Sequence, residues 1–319
     1  MKEESLSVVL TGVNGFLGSR LVRALNFIPS VTLTAVVRRR VEIQAANLIK
    51  VQGIDASTDW SIVLADQQVV IHAAARAHVM KDELADPPAE YRRINVDGTL
   101  NLARQAAAAG VKRFIFISSI KVNGEQTPLG QPFTADDTPA PEDAYGISKW
   151  EAEQGLQQLA SETAIEVVII RPPLVYGPGV KGNFASMIKL MAKGLPLPLG
   201  AIHNQRSLVA VDNLVDLIIT CIDHPAAANQ VFLAGDGQDL STNELLREVA
   251  LAMGKPARLL PVPSSLLMLG ATLLGKRAVA QRLLGSLQVD ISKARDLLGW
   301  EPPISVKEGL RRCFELQNK

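Results

Sequence analysis

Cysteine is nearly absent: Cys221 and Cys313 are the only two in 319 residues. Two thiols can neither staple a small secreted scaffold nor fill a four-ligand zinc site. Histidine is also sparse, and His72, His78, His203 and His224 lack metal-ligand spacing. Neither sign of charge dominates. Lys plus Arg total 33 and Asp plus Glu total 32, a net charge of +1. That balance lacks the basic footprint of a nucleic-acid binder and the charge excess of a disordered chain. Long apolar runs are missing too. The stretch Leu259 to Gly275 is interrupted by Pro261 and Pro263, and what remains falls short of the roughly 20 residues a membrane span needs. The start, Met1-Lys2-Glu3-Glu4-Ser5, is acidic and runs straight into Val8-Val9-Leu10, unlike a signal peptide. The expectation is a cytoplasmic protein with no nucleic-acid partner and no membrane span.

What is present is apolar material, 47% of the chain, enough for one large α/β domain or two smaller ones. Short Val- and Ile-rich runs at Ser7–Thr11, Thr32–Val37, Leu48–Gln52, Val69–Ala73, Phe114–Ser118 and Val167–Arg171 read as strands. Nearly continuous apolar strands suit a parallel sheet covered on both faces. Helical patterns at Phe16–Asn26, Pro88–Ala109 and Asp143–Glu162 alternate with them, which implies βαβ units and a doubly wound Rossmann-type α/β fold. After Arg171 the chain becomes rich in Gly and Pro. Helical periodicity returns at Asp212–Asp223, Asn243–Met253, Leu266–Leu274 and Val306–Leu316. We expect a dinucleotide-binding domain over residues 1–171 with a returning segment near 206–235. A smaller substrate-binding domain takes residues 172–205 and 236–319.

The first strand leads into Thr11-Gly12-Val13-Asn14-Gly15-Phe16-Leu17-Gly18. Gly12 permits a tight turn, Gly15 leaves room for a pyrophosphate, and Gly18 lets the helix pack close to the strand. The helix then points its N–H groups and positive end at the phosphates. Twenty residues after Gly18, the second strand ends in Arg38, followed by Arg39 and Arg40, with no carboxylate nearby. An arginine there accommodates a 2′-phosphate, so NADP(H) is expected over NAD(H).

Tyr145 and Lys149 are one helical turn apart, so both lie on one face. A phenol near pKa ~10 becomes a useful acid or base if an adjacent ammonium lowers that value. Ser118 and Ser119 end a strand where ligands bind in a parallel sheet. A Ser119 hydroxyl there can hydrogen-bond a reacting oxygen.

With these motifs together, the chain resembles an extended short-chain dehydrogenase/reductase of the nucleotide-sugar epimerase/dehydratase type. The matching pieces also include His72-Ala73-Ala74-Ala75, Asn95-Val96-Asp97-Gly98-Thr99 and the run from Arg171 through Tyr176 to Gly179. The resemblance implies a Ser119, Tyr145 and Lys149 triad, with Lys149 also holding the nicotinamide ribose. It implies Ala73 and Ala74 flanking the cofactor, Asn95 bracing the site, and further cofactor contacts from Asn14, Phe16, Leu17, Asp55 and Pro172. It implies a UDP-sugar partner, gripped by Asn183, Arg206 and Arg282 and approached by Lys121. A homodimer through the Pro88–Ala109 and Asp143–Glu162 regions follows from the same likeness.

Two departures narrow the chemistry. Relatives commonly carry Val-Tyr-Gly after the serine strand; here Asn123 replaces the tyrosine. Sugar dehydratases of the family carry an Asp-Glu pair where this chain has Ile120-Lys121, so dehydration is not expected. Arg282 lacks the Gly-Asp that often follows the second family arginine, which weakens the case for uridine specificity. The expected reaction is NADP(H)-dependent reduction of a UDP-2-acetamido-2,6-dideoxy-4-hexulose in bacterial surface-polysaccharide synthesis. The alternative is a UDP-glucose or UDP-N-acetylglucosamine 4-epimerase with bound NAD.

Overall fold

The computed structural model describes residues 5–39, 43–76 and 86–315. Its centre is a seven-stranded parallel sheet built from β1 (Leu6–Thr11), β2 (Val31–Val37), β3 (Asn47–Lys50), β4 (Val69–His72), β5 (Arg113–Ile117), β6 (Glu166–Arg171) and β9 (Val231–Leu233). The spatial order is β3-β2-β1-β4-β5-β6-β9. The chain runs outward to β3, then crosses back to place β4 against the free side of β1. A crevice therefore opens at the carboxyl ends of β1 and β4, where a doubly wound sheet binds ligands.

Period-two alternation splits each strand between two apolar layers. Val8 and Leu10 face one layer and Val9 the other. Ile115 and Ile117 oppose Phe114 and Phe116 in the same way, and Val168 and Ile170 oppose Val167 and Ile169. The first layer is closed by α1 (Phe16–Asn26), α7 (Val211–Asp223) and α11 (Ser292–Leu298). The second is closed by α2 (Ser61–Leu64), α4 (Thr99–Ala108) and α5 (Ala144–Glu162).

The single helix expected over Pro88–Ala109 is three pieces. Asp86 caps α3 (Pro87–Arg92) by accepting from the Ala89 N–H at 3.1 Å, with proline at the first positions. A π-helical turn, Arg93–Gly98, separates α3 from α4. Asn95 is turned inward there, and single π-turns of this kind recur at functional sites.

Beyond β6, a parallel pair of strands, β7 (Leu174–Tyr176) and β8 (Leu208–Ala210), packs with α6 (Asn183–Ala192), α8 (Thr242–Ala252) and α12 (Val306–Glu315) around a further apolar cluster. Two short helices, α9 (Ser264–Leu273) and α10 (Arg277–Leu284), pack against each other.

Candidate active site

The turn after β1 is built as its glycines demand. Gly12 has φ +76°, and a Cβ on it would lie 2.6 Å from the Ala74 nitrogen. A Cβ on Gly18 would lie 2.1 Å from the Gly12 carbonyl oxygen. Only glycine lets β1, α1 and the Ala73-Ala74 backbone meet so closely. Gly15 is the N-cap of α1 and brings no side-chain cap to the helix end. Asn14 and Gly15 are exposed beside it. An exposed helix start with no competing side chain, facing the crevice at the switch point, fits a dinucleotide pyrophosphate.

His72, at the end of β4, is fully buried and ties the crevice floor together. Its Nδ1 is 2.8 Å from the Thr11 hydroxyl and its Nε2 is 3.0 Å from the Thr99 hydroxyl. Burial, with the Lys149 charge adding, pulls its pKa down to about 3. It is a neutral strut between β1, β4 and α4.

Asn95 is buried in the π-helical turn. Its side chain accepts from the Arg76 N–H at 2.8 Å and donates to the Ser148 hydroxyl at 3.0 Å. It thereby links the loop after β4 to α5. Asp55 lies beyond β3, with its carboxyl fixed by the Ser57 N–H and hydroxyl and by Arg93 at 3.1 Å. The Ser57 contacts hold its pKa below the ordinary carboxylate value. Arg38 and Arg39 are exposed just past β2, and Arg40 lies outside the described residues. Pro172 is buried, and its carbonyl accepts from the Ile120 N–H at 3.0 Å, which fixes the turn carrying Ser119.

Asp143 caps α5, accepting from the Gly146 N–H at 2.7 Å. Gly146 has no side chain to separate the helix from the turn after β5; a Cβ there would lie 2.9 Å from the Lys121 carbonyl oxygen. This close approach packs the start of α5, which carries Tyr145 and Lys149, against the turn after β5, where the Ser119 hydroxyl accepts from the Lys121 N–H at 3.3 Å.

Lys149 is buried. Its ammonium donates to the Ile117 carbonyl at 2.7 Å and lies 4.3 Å from the centre of the Phe116 ring. Burial lowers its pKa to about 7, partly offset by the nearby Glu153 carboxylate. Tyr145 is half-buried, edge-on to Tyr91 at 6.1 Å. Burial raises its pKa above the ordinary phenol value, and Asp143 and Tyr91 add to the rise. The expectation that Lys149 acidifies Tyr145 is therefore not met in the protein alone. Desolvation is the largest cause of the rise, and burial also disfavours the Lys149 ammonium.

Five side chains of this neighbourhood were given no role from sequence. Glu153, one turn beyond Lys149, is fully buried and accepts from Arg171 at 2.5 Å and from the Ser118 hydroxyl. Arg171 also donates to the Asn123 side-chain oxygen at 3.0 Å. Asn123, noted only as a departure, thus helps neutralise a buried guanidinium. Helical spacing from Lys149 was the signal that could have found Glu153. Glu125 and Asp143 complete the set.

Lys121, expected to approach the substrate, is held by two carboxylates. Its ammonium pairs with Glu125 at 2.9 Å and with Asp143. Glu125 also faces the Arg282 guanidinium at 3.9 Å. Arg206 is half-buried and makes no ion pair with Asp212, which binds Arg312 at 2.8 Å instead. The Arg206 guanidinium donates to the carbonyls of Arg282 and Gly285 at the end of α10. Its charge is thus met by carbonyl dipoles. Asn183 is the first residue of α6.

Residues 8–235 match the NAD dependent epimerase/dehydratase family. The chain belongs to that family. Among family relatives, the chain is 54% identical over 310 residues to a UDP-glucose 4-epimerase of Vibrio cholerae, covering 97% of this chain and 94% of that one. It is 28% identical to the N-acetyl-alpha-D-glucosaminyl-diphospho-ditrans,octacis-undecaprenol 4-epimerase of Escherichia coli O157:H7, covering 98% and 95%. The crystal structure of a Thermotoga maritima UDP-glucose 4-epimerase, solved with UDP-glucose, superposes with a TM-score of 0.77 at 26% identity, covering 98% and 100%.

Proposed function

We propose that this protein is a UDP-hexose 4-epimerase that keeps NAD bound through its reaction. The observation that carries the proposal is the 54% identity to the Vibrio cholerae UDP-glucose 4-epimerase across nearly the whole of both chains. It moves the balance away from the 4-keto reductase expected from sequence and toward the epimerase alternative. The observation on the side of reduction is Arg38, exposed beyond β2, where an arginine accommodates a 2′-phosphate. Epimerisation returns the dinucleotide to its starting state, so it makes no demand for the reducing, phosphorylated form. NAD is accordingly the cofactor we assign.

NAD, held at the glycine turn after β1, would supply a reversible hydride acceptor. Tyr145 takes the proton from the sugar C4 hydroxyl as C4 is oxidised, and returns it to the opposite epimer. Ser119 donates a hydrogen bond to the same oxygen as it becomes a carbonyl. Lys149 stabilises the phenolate while it carries its proton, which the nearby Glu153 carboxylate favours. Arg206 and Arg282 anchor the diphosphate while the sugar turns to expose its other face. Residues 172–205 and 236–319 make up the substrate-binding part, and the family likeness supports a homodimer through α3, α4 and α5.

The test is incubation of the purified protein with UDP-glucose and no added dinucleotide, followed by chromatography. UDP-galactose should accumulate to a fixed equilibrium. If none forms, while NADPH is consumed stoichiometrically with a UDP-4-keto-6-deoxy-hexosamine, the reductase replaces the epimerase.

A further inference from the structure

The hairpin of α9 and α10 is unlike the rest of the surface. No residue of α9 is buried. Leu266, Leu269 and Leu273 follow three- and four-residue spacing and share one face; they are 57%, 58% and 80% exposed. Leu274 continues that face at 75%, and Val279 and Leu283 on α10 are exposed as well. A contiguous exposed apolar patch of this kind marks an interaction surface.

The charge around the patch says what covers it. Between Glu248 and Asp290 the sequence contains no Asp or Glu, while Lys255, Arg258, Lys276, Arg277 and Arg282 supply five cations. The whole chain has a net charge of only +1, so the remainder is net negative. Lys276 and Arg277 sit at the turn between the two helices, directly after the exposed leucines, and both are exposed. An exposed apolar helix face that ends in the exposed cations Lys276 and Arg277 is the pattern of a helix that lies in the plane of an anionic bilayer.

We infer that the α9–α10 hairpin docks this protein onto an anionic lipid surface. The leucines enter the acyl boundary, and Lys276 and Arg277 reach the headgroups from long apolar stems. α9 is ten residues long, about 15 Å, half the thickness of a hydrocarbon core. No described helix is long and apolar enough to cross a membrane, so the contact is interfacial. A second copy on the same patch would bring cations against cations, since a two-fold contact pairs a surface with itself. The inference does not depend on the epimerase reading.

The test floats the full-length protein with vesicles of phosphatidylglycerol and phosphatidylethanolamine, and with vesicles of phosphatidylcholine alone. The protein should float with the anionic vesicles, less with the neutral ones, and less as salt rises. The double variant Leu269→Glu/Leu273→Glu should lower partitioning at least about ten-fold. Lys276→Gln/Arg277→Gln should lower it roughly five-fold for each cation removed. Both variants should keep wild-type turnover of soluble substrate, which shows that they fold. No flotation with anionic vesicles overturns the inference, as does equal flotation of the variants. A lipid-independent dimer that Leu269→Glu/Leu273→Glu converts to monomer also overturns it, in favour of a second copy.

Discussion

Replacing His72 tests the account of the crevice floor through stability alone. The buried imidazole has its pKa pulled from 6.5 to about 3, chiefly by burial. A base whose native pKa lies below its unfolded pKa is favoured neutral by folding. Its contribution is therefore complete above about pH 6.5 and is lost as pH falls toward about 3. Each unit of pH across that window costs about 1.4 kcal/mol, so His72 alone removes about 2 kcal/mol of stability on acidification to about pH 5. The assay is urea unfolding of wild-type and His72→Gln at a series of pH values, comparing slopes rather than absolute stabilities. Glutamine does not titrate, so its curve should fall less steeply between about pH 6.5 and about pH 4, by the amount assigned to His72. The variant also loses part of the Thr11–Thr99 bridge, which shifts its curve down without changing that slope. Parallel curves for the two proteins would show that His72 is not held neutral by the fold.

Three further outcomes follow from the site. Tyr145→Phe should lower kcat by at least about a hundred-fold, with the purified variant still carrying its dinucleotide; steady-state kinetics and cofactor release measure both. Gly12→Ala should lose cofactor and lower Tm, because alanine at φ +76° is strained and its Cβ meets the Ala74 backbone; absorbance of released cofactor and thermal unfolding report this. Glu153→Gln should destabilise by about 3–5 kcal/mol, since it strands the buried Arg171 cation. It also removes the charge that holds up the Lys149 pKa. The alkaline limb of kcat/KM, set by loss of the Lys149 proton, should move to lower pH.

Much of this was legible in the residues because one signal served both fold and site. The strands β1, β2, β4, β5 and β6 are largely buried on both faces, and the ends of three are marked by the glycines after β1, Ser118-Ser119 after β5 and Arg171-Pro172 closing β6. The three-residue strands β7, β8 and β9 were not read as strands, because so short a segment carries no periodicity. The π-turn at Arg93–Gly98 was hidden inside an unbroken helical pattern; it exists because Asn95 finds partners on the Arg76 backbone and on Ser148, which are distant in sequence. The electrostatics were least legible. Nothing in the spacing showed that Asp143 and Glu125 would meet Lys121, or how far burial would oppose ionisation of Tyr145. Spacing reveals which charges share a helix face, but not how much water they lose.

The central claim is that one bound dinucleotide takes hydride from the sugar C4 and gives the same hydride back. UDP-glucose deuterated at C4, incubated with the protein and no added cofactor, tests it directly by NMR of the product. The account predicts UDP-galactose with the deuterium still at C4. A UDP-galactose product with protium at C4 would contradict the account, as would deuterium appearing in released cofactor.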